Sequence, residues 1–508
     1  MTETVRPSAR PRWDPRQEPC VPVTTDGGTR ELVTLVDALR RADELSGLAT
    51  TTPGETVALL EYLLAICYAV PDAATVPEAE LTARAATWLA TRPDDQWDLF
   101  HPAQPLGQNA LLAPYLDEHG TGPAQLVIER AGDYNQFFDH HHLAHTEPLP
   151  ADAAFRAMLA QHAYGPSGRA RVSGRQTLGP TLTNLAVGRL AARVRVVALG
   201  PTLKDTLLLN LLPLDGAGPG TFNHTWTVSP APRRGFTAKP RGRTTDGPAD
   251  LHTVLGRSIL LRPVTTGDRI AVDRVLVAAG ELLADPPARD AVYPPGEDTP
   301  LRPSASRAFW REAHALYAAV ANRKEGDLYD RIARRARTRV TLWAVGLITR
   351  HSSAVTWVSD TFPFVRGREI ELRYAAERGS RIAEYVATCL SRAAYVAWTV
   401  TYPNPNPSDR PHQLARFDAR PEYWMYAAVP FHTLLDETST ALTKYRLDTA
   451  IIEYATDLAR AARRFLDRRL DPLPATSRGH QARAQATRRL NADLTGPKAP
   501  DELKGKRA

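Results

Sequence analysis

Cysteine is scarce in this 508-residue chain, and the three that occur, Cys20, Cys67 and Cys389, lie far apart. That spacing excludes a disulfide-stapled scaffold and a paired-cysteine zinc ribbon, and it fits a reducing compartment. Long apolar runs are missing too. The best one, Val57–Val70, is interrupted by Glu61 and falls short of the ~18–20 residues a membrane span needs. The opening residues as far as Pro19 hold no apolar segment of the secretory type, so a cytoplasmic protein without membrane contact is expected. The signatures of several enzyme classes are also absent. There is no GxxxxGK[ST] phosphate loop and no HExxH pair, and Gly165-Pro166-Ser167-Gly168 has the wrong spacing for a GxSxG elbow. Neither an enzyme nor a cofactor is indicated.

What remains is an ordinary globular composition, 43% hydrophobic and 23% charged, long enough for two to four domains of about 150 residues. The net charge of +7 hides an asymmetry. Between Arg169 and Arg274 stand 16 Lys and Arg against 6 Asp and Glu, a local excess of +10 that leaves the rest at −3. A basic middle points to a polyanion such as nucleic acid; a solvated basic face is the plainer alternative, and composition does not separate them.

Local patterns predict an α+β protein: a mixed N-terminal body with short strands and hairpins, then a C-terminal four-helix bundle. Residues 1–18, rich in Pro and Arg, read as a flexible tail, 19–366 as the body and 367–508 as the bundle. Pro19–Val23 predicts a strand ending in the turn Asp26-Gly27-Gly28. Helices are expected over Leu32–Leu45, Glu55–Val70, Glu78–Thr91 and Asp152–His162, and a strand over Val194–Leu199. Ser258–Val264 and Ile270–Ala278 predict a strand pair. Helix returns at Ser306–Asn322 and Leu328–Arg337, and Arg339–Thr349 with Ala354–Phe362 predicts a hairpin. Four long helical patterns follow, over Glu369–Val400, Pro421–Glu437, Ser439–Leu470 and Ser477–Leu494, with Leu447, Ile451, Tyr454 and Leu458 spaced as one buried stripe.

Two segments suggest chemistry. Asp139, His140, His142 and His145 offer a carboxylate and imidazoles to a metal, as a metal-dependent nuclease or hydrolase would need. Neighbouring histidines on an extended chain point to opposite faces, however, and Pro148 and Pro150 favour a loop, so a hydrogen-bonding loop is the competing reading. In Tyr164-Gly165-Pro166-Ser167-Gly168-Arg169, glycines permit a close backbone approach, and Arg169, Arg171 and Arg175 follow to hold phosphates. A plain turn carries the same glycines.

Several segments, taken in order, resemble the CasA family, the large subunit of the type I-E CRISPR surveillance complex Cascade. Val21-Pro22-Val23 followed by Asp26-Gly27-Gly28 is similar to the family's opening "WIPV…GG", with Cys20 in place of the tryptophan. Asp98-Leu99-Phe100-His101-Pro102 with Pro105-Leu106-Gly107-Gln108 resembles "LFHP…PFxQ", and Asn135 to His140 resembles "NxxFDH". Leu199-Gly200-Pro201 leading to Thr206–Leu211 is similar to "VRG…TLLLNL", and Arg302-Pro303 to Phe309-Trp310-Arg311 resembles "LRP…R.LWR".

The resemblance implies a non-catalytic subunit that recognises a short protospacer-adjacent motif (PAM) in double-stranded DNA. It further implies that the subunit starts strand separation and helps recruit a helicase-nuclease. The implied partners are the target duplex and the CRISPR RNA-containing backbone, small and crRNA-end-binding subunits, with guide RNA supplying sequence specificity. By residue, it implies PAM contact through Asn135 and Phe138 and a minor-groove approach by the glycine loop Tyr164–Gly168. The family's basic finger maps near Ile270–Gly280, where Asp273 takes the lysine position, the adjacent Arg274 is the substitute and Arg269 lies close by. Its wedge maps to Arg350, His351, Ser352 and Ser353, without the usual glutamine. A passive scaffold that merely docks partner subunits is the remaining alternative.

Overall fold

The computed structural model describes residues 10–71, 73, 75–130, 147–170, 172, 174, 178–214, 218–226, 242–284, 288–294, 296–336, 339–350, 353–404, 406–440 and 444–505. β1 (Val21–Thr25) turns through Gly28, at φ 78, and returns antiparallel as β2 (Arg30–Val33). That backbone conformation suits glycine, which has no Cβ to clash. α1 (Leu35–Arg40) starts at Thr34, whose hydroxyl accepts the Asp37 amide at 3.0 Å, and β3 (Leu45–Leu48) pairs on the other edge of β1. The helix expected over Leu32–Leu45 is therefore only six residues long. β1 offers two free edges, and Val33 and Leu45 bury beside it at the cost of the helix ends.

α2 (Pro53–Tyr68) has a reciprocal cap: Thr52 accepts the Glu55 amide and Glu55 accepts the Thr51 amide, both at 3.3 Å. It is buried on nearly every side, which explains its largely apolar sequence. α3 (Glu78–Ala90), α4 (Ala113–His119), β4 (Leu149–Pro150) and α5 (Ala151–Tyr164) follow. The middle of the chain forms β5 (Gly168–Arg169), α6 (Pro180–Thr183), β6 (Asn184–Leu185), β7 (Arg195–Leu199), α7 (Leu203–Asn210), β8 (Gly242–Arg243) and α8 (Pro248–His252).

β9 (Arg257–Thr266) and β10 (Arg269–Ala279) make the expected antiparallel pair, extended by β4 into the order β4-β10-β9. Its two faces serve different cores. Ile259, Leu261, Val275 and Val277 join the main N-terminal core, whereas Leu260, Leu276 and Ala278 pack with Leu112, Leu116, Leu178 and Leu182. Burial on both faces accounts for the nearly continuous apolar runs in these strands. β11 (Leu282–Leu283) runs parallel to β8.

α9 (Ala313–Ala321) and α10 (Leu328–Arg335) precede the hairpin of β12 (Val340–Arg350) and β13 (Ser353–Phe364), which joins β7 in the order β13-β12-β7. The C-terminal region comprises α11 (Glu369–Thr401), α12 (Arg410–Ala415), α13 (Arg420–Thr440), α14 (Lys444–Leu470) and α15 (Ser477–Thr495). α11 packs against α13, α14 and α15, and Leu447, Ile451, Tyr454 and Leu458 are all buried. This core is not separate from the body, because Val196, Ala198, Trp310, Phe362 and Phe364 belong to it. The expected tail also differs: Trp13 packs 5.8 Å from Phe155, and Arg16 is buried in ion pairs with Asp14 and Asp94, so the chain is fixed from there on.

The charge that interrupts the apolar run of α2 has a structural purpose. Glu61 accepts from Arg189, from Arg195 Nε at 3.0 Å and from His252 Nδ1 at 2.6 Å. Asp290 adds Arg193 at 2.9 Å and Arg195 at 2.7 Å. Burial by itself raises the Glu61 pKa, but His252, Arg189 and Arg195 outweigh it and hold the carboxyl well below its usual range. A depressed folded-state pKa stabilises the fold above the unfolded value of about 4.3, and this stability is lost as pH falls through the folded pKa. Glu61→Gln strands buried cations and is expected to cost about 3–5 kcal/mol in denaturant unfolding near pH 7. The variant's deficit shrinks at acid pH; an equal deficit at pH 7 and pH 3 contradicts this assignment.

Candidate nucleic-acid interface

The glycine loop begins where α5 stops. Gly165 caps the helix through its amide to Gln161 O at 3.0 Å, and its carbonyl accepts the Gly188 amide at 2.8 Å. Gly168, at φ 149, leads into β5, which pairs with β6 through Gly168↔Leu185 and Arg169↔Asn184. Ser167 and Arg169 are exposed, while Pro166 and Gly168 are half-buried. The loop is thus an outward-facing strip of backbone clamped on both sides.

Behind it lies Arg257, the first residue of β9 and only 2% exposed. Its guanidinium donates to Gly256 O at 2.8 Å and to Pro166 O at 2.9 Å. It has no carboxylate among the described residues, and burial pulls its pKa down to about 10, which leaves it charged at neutral pH. Glycine is required opposite: a Cβ on Gly165 would lie 2.5 Å from one Arg257 terminal nitrogen and 2.6 Å from Nε.

Two sequence expectations are corrected here. Tyr164 is fully buried, edge-on to Trp357 with ring centroids 4.8 Å apart, so it anchors the loop and cannot touch DNA. Gly165 is buried as well, and the surface strip starts one residue later. Both follow from α5, whose last turn points into the main core.

The β9–β10 hairpin presents Arg269 beside the tip glycine Gly267, and Arg269 is exposed. Arg274 is engaged elsewhere: it donates to the carbonyls of Asp117 at 2.8 Å and Gly120 at 3.1 Å, closing the C-terminus of α4. A bulge inserts Asp273 between Val272 and Arg274, and its carboxylate takes Arg262 through bonds of 2.9 and 2.8 Å. Arg274 is thus a tie within the fold, and Arg269 is the cation left at the finger. Nine strand steps separate Arg257 from Thr266, about 30 Å. The glycine strip and Arg269 lie at opposite ends of one hairpin, a separation close to one turn of duplex, about 34 Å.

Trp357 on β13 connects these parts. Its ring fills the space over Gly54, where any Cβ would overlap it, it stands perpendicular to the Tyr164 ring, and its indole N–H donates to Glu129. Glu129 lies two residues before the segment 131–146, and beyond that segment Leu149 pairs with Val272 on β10. Four strand steps from Trp357, about 13 Å, Ser353 pairs with Arg350 at the end of the β12–β13 hairpin.

Asn135, Phe138, the alternative ligands Asp139, His140, His142 and His145, and also Arg171, Arg175, His351 and Ser352 lie outside the described residues. No group of three His, Cys, Asp or Glu suited to a metal occurs among the described residues. Among the described residues, the cations of the basic middle segment do not form one positive face. Arg189, Arg193 and Arg195 are turned inward onto Glu61 and Asp290, Arg243 is held by Asp250 and Glu281, and Arg257, Arg262 and Arg274 are engaged as described. Local charge counting missed this because Glu61, Glu281 and Asp290 lie outside the counted segment and a net excess does not show which arginines are paired. Arg257, Trp357 and Glu129 were not singled out in the sequence; the one available signal was an arginine opening an otherwise apolar strand.

The chain is a mixed α+β body with a glycine strip and two long hairpins, the second held by one tryptophan, followed by packed C-terminal helices. Known proteins share this fold. The family model described as CRISPR-associated protein Cse1 matches residues 17–465, and the chain belongs to that family. The CasA/Cse1 protein of Thermus thermophilus is 26% identical over 507 residues, covering 91% of this chain and 95% of its own length. The crystal structure of Cse1 from Acidimicrobium ferrooxidans superposes with a TM-score of 0.74 at 20% identity, covering 99% of this chain and all of its own. A chain of a CRISPR RNA-guided surveillance complex gives 0.66 at 20% identity, covering 95% and 100%.

Trp357→Ala empties the space over Gly54 and releases Tyr164, and is expected to cost about 3–5 kcal/mol in denaturant unfolding. Trp357→Phe keeps most of the ring and loses the bond to Glu129, at about 1–2 kcal/mol. Equal costs for the two variants contradict the packing role.

Proposed function

We propose that this chain is the large subunit of a type I-E CRISPR RNA-guided surveillance complex. It has no catalytic role there: it recognises the PAM in duplex DNA, starts strand separation and helps recruit the helicase-nuclease. Guide RNA reads the target by base pairing, so the protein needs to read only a short duplex element and its backbone shape. The exposed strip Pro166–Arg169 approaches the minor groove, where the pattern of base edges is degenerate and a loose PAM preference is expected. Asn135 and Phe138 engage the PAM from the segment between Glu129 and Leu149, Arg169, Arg171, Arg175 and Arg269 hold phosphates, and the hairpin end from Arg350 to Ser353 enters the opened pair. The backbone, small and crRNA-end-binding subunits are its partners.

What supports this reading is the family match over 17–465 together with the junction at Trp357, where one side chain of the β12–β13 hairpin meets Tyr164 at the start of the glycine loop and donates to Glu129, two residues before the segment 131–146. Opening the first pair costs a few kcal/mol of unstacking, which groove and phosphate contacts must offset. Among the described residues no helix is long and apolar enough to cross a membrane.

The test uses the complex reconstituted with guide RNA and its partner subunits. Reversing Arg169 and Arg171 to Glu is expected to leave assembly intact, to weaken duplex capture, and to lower the salt slope by about two phosphate contacts. Unchanged capture across salt concentrations removes this loop as a contact. Phe138→Ala is expected to lower capture of PAM-bearing duplex more than capture of a pre-melted target. Equal loss on both substrates rejects a PAM-specific role, and capture indifferent to the PAM in the unaltered complex favours the passive scaffold.

A further inference from the structure

We infer that Arg257 is a positioning residue for DNA recognition: it turns the Pro166–Ser167 peptide so that the Ser167 amide faces the duplex, and it supplies from below a positive charge whose counterion is the DNA. The inference rests on the PAM-recognition reading above, and two observations carry it beyond that reading.

The first is the geometry of one peptide unit. Arg257 donates to Pro166 O at 2.9 Å from inside the protein. No cis peptide occurs among the described residues, and in a trans peptide the C=O and N–H point in opposite directions. The Ser167 N–H therefore points outward, on an exposed residue, and it makes no hydrogen bond among the described residues. A fixed outward amide is a ready donor to a phosphate oxygen or to the acceptors of a minor-groove base edge. Gly188 and Gly165 keep the support rigid, since a Cβ on Gly188 would meet Gly165 N at 2.8 Å.

The second is the charge. Arg257 is buried without a carboxylate, and its Nε has no hydrogen-bond partner among the described residues. Every other deeply buried arginine named above faces an acid: Arg16 has Asp14, Arg195 has Glu61 and Asp290, and Arg193 has Asp290. An unpaired buried cation is unfavourable in the free protein and is relieved when a polyanion covers the loop above it. The difference between free and bound states favours binding.

Arg257→Gln removes the charge and shortens the reach to Pro166 O, whereas Arg257→Lys keeps the charge without the planar fork. In the reconstituted complex, Arg257→Gln is expected to lower affinity for PAM-bearing duplex tenfold or more while pre-melted target is captured as before, and Arg257→Lys is expected to recover part of the loss. Amide hydrogen exchange on the unaltered complex is the second measurement. The Ser167 amide is expected to gain protection when PAM-bearing duplex binds, an effect that a purely structural arginine does not require. Normal duplex capture by an assembled Arg257→Gln complex, or no added protection at Ser167, overturns the inference. If Arg257→Gln does not assemble, the exchange result decides. An unaltered complex that ignores the PAM instead overturns the functional reading itself.

Discussion

The contact between Trp357 and Tyr164 is the constraint on which the arrangement of the interface depends. It sets the β12–β13 hairpin against the end of α5, just where the glycine strip begins, and the indole N–H holds Glu129 on the third side. An indole is suited to this junction because it combines a large apolar face with one polar handle. Gly54 completes it from below, since the ring occupies the volume of any larger residue there. Strand pairing then carries the order outward: β13 to its hairpin end, β5 to β6, and β10 to β4. Loops that contact a ligand gain precision when rigid elements support them.

Among the described residues of the middle segment, most charges are paired inside the fold. The network of Glu61 and Asp290 with Arg189, Arg193, Arg195 and His252 joins α2, the approach to β7, α8 and the segment leading to α9. Arg243, Arg262 and Arg274 likewise tie loops and strands together. Among the described cations of the basic middle, Arg169 and Arg269 are the exposed ones. Under the proposed function these two cations and the outward backbone donors are the described contacts to DNA, which suits a role in which base pairing with RNA supplies the specificity.

Much of the fold was legible in the sequence. The helices α2, α5, α11 and α15 and both long hairpins lie close to their expected limits, because apolar spacing agrees with the tertiary structure. Leu32–Leu45 was misread because strand pairing with β1 overrode local helical spacing. Tyr164 was misread for a related reason: adjacency to exposed glycines says nothing about which way the last helical turn faces. The ion pairs were beyond reach, since Glu61 meets Arg195 across 134 positions of sequence. The order of short motifs carried the family assignment, whereas the geometry of the interface came from contacts that no local pattern encodes.

The central claim is that the strip Pro166–Arg169 lies against duplex DNA beside the PAM. A photo-crosslinking residue at Ser167 in the reconstituted complex tests it most directly. The account predicts crosslinks to the PAM-proximal duplex that disappear when the PAM is mutated. Crosslinks to partner subunits alone, or to DNA irrespective of the PAM, would contradict it.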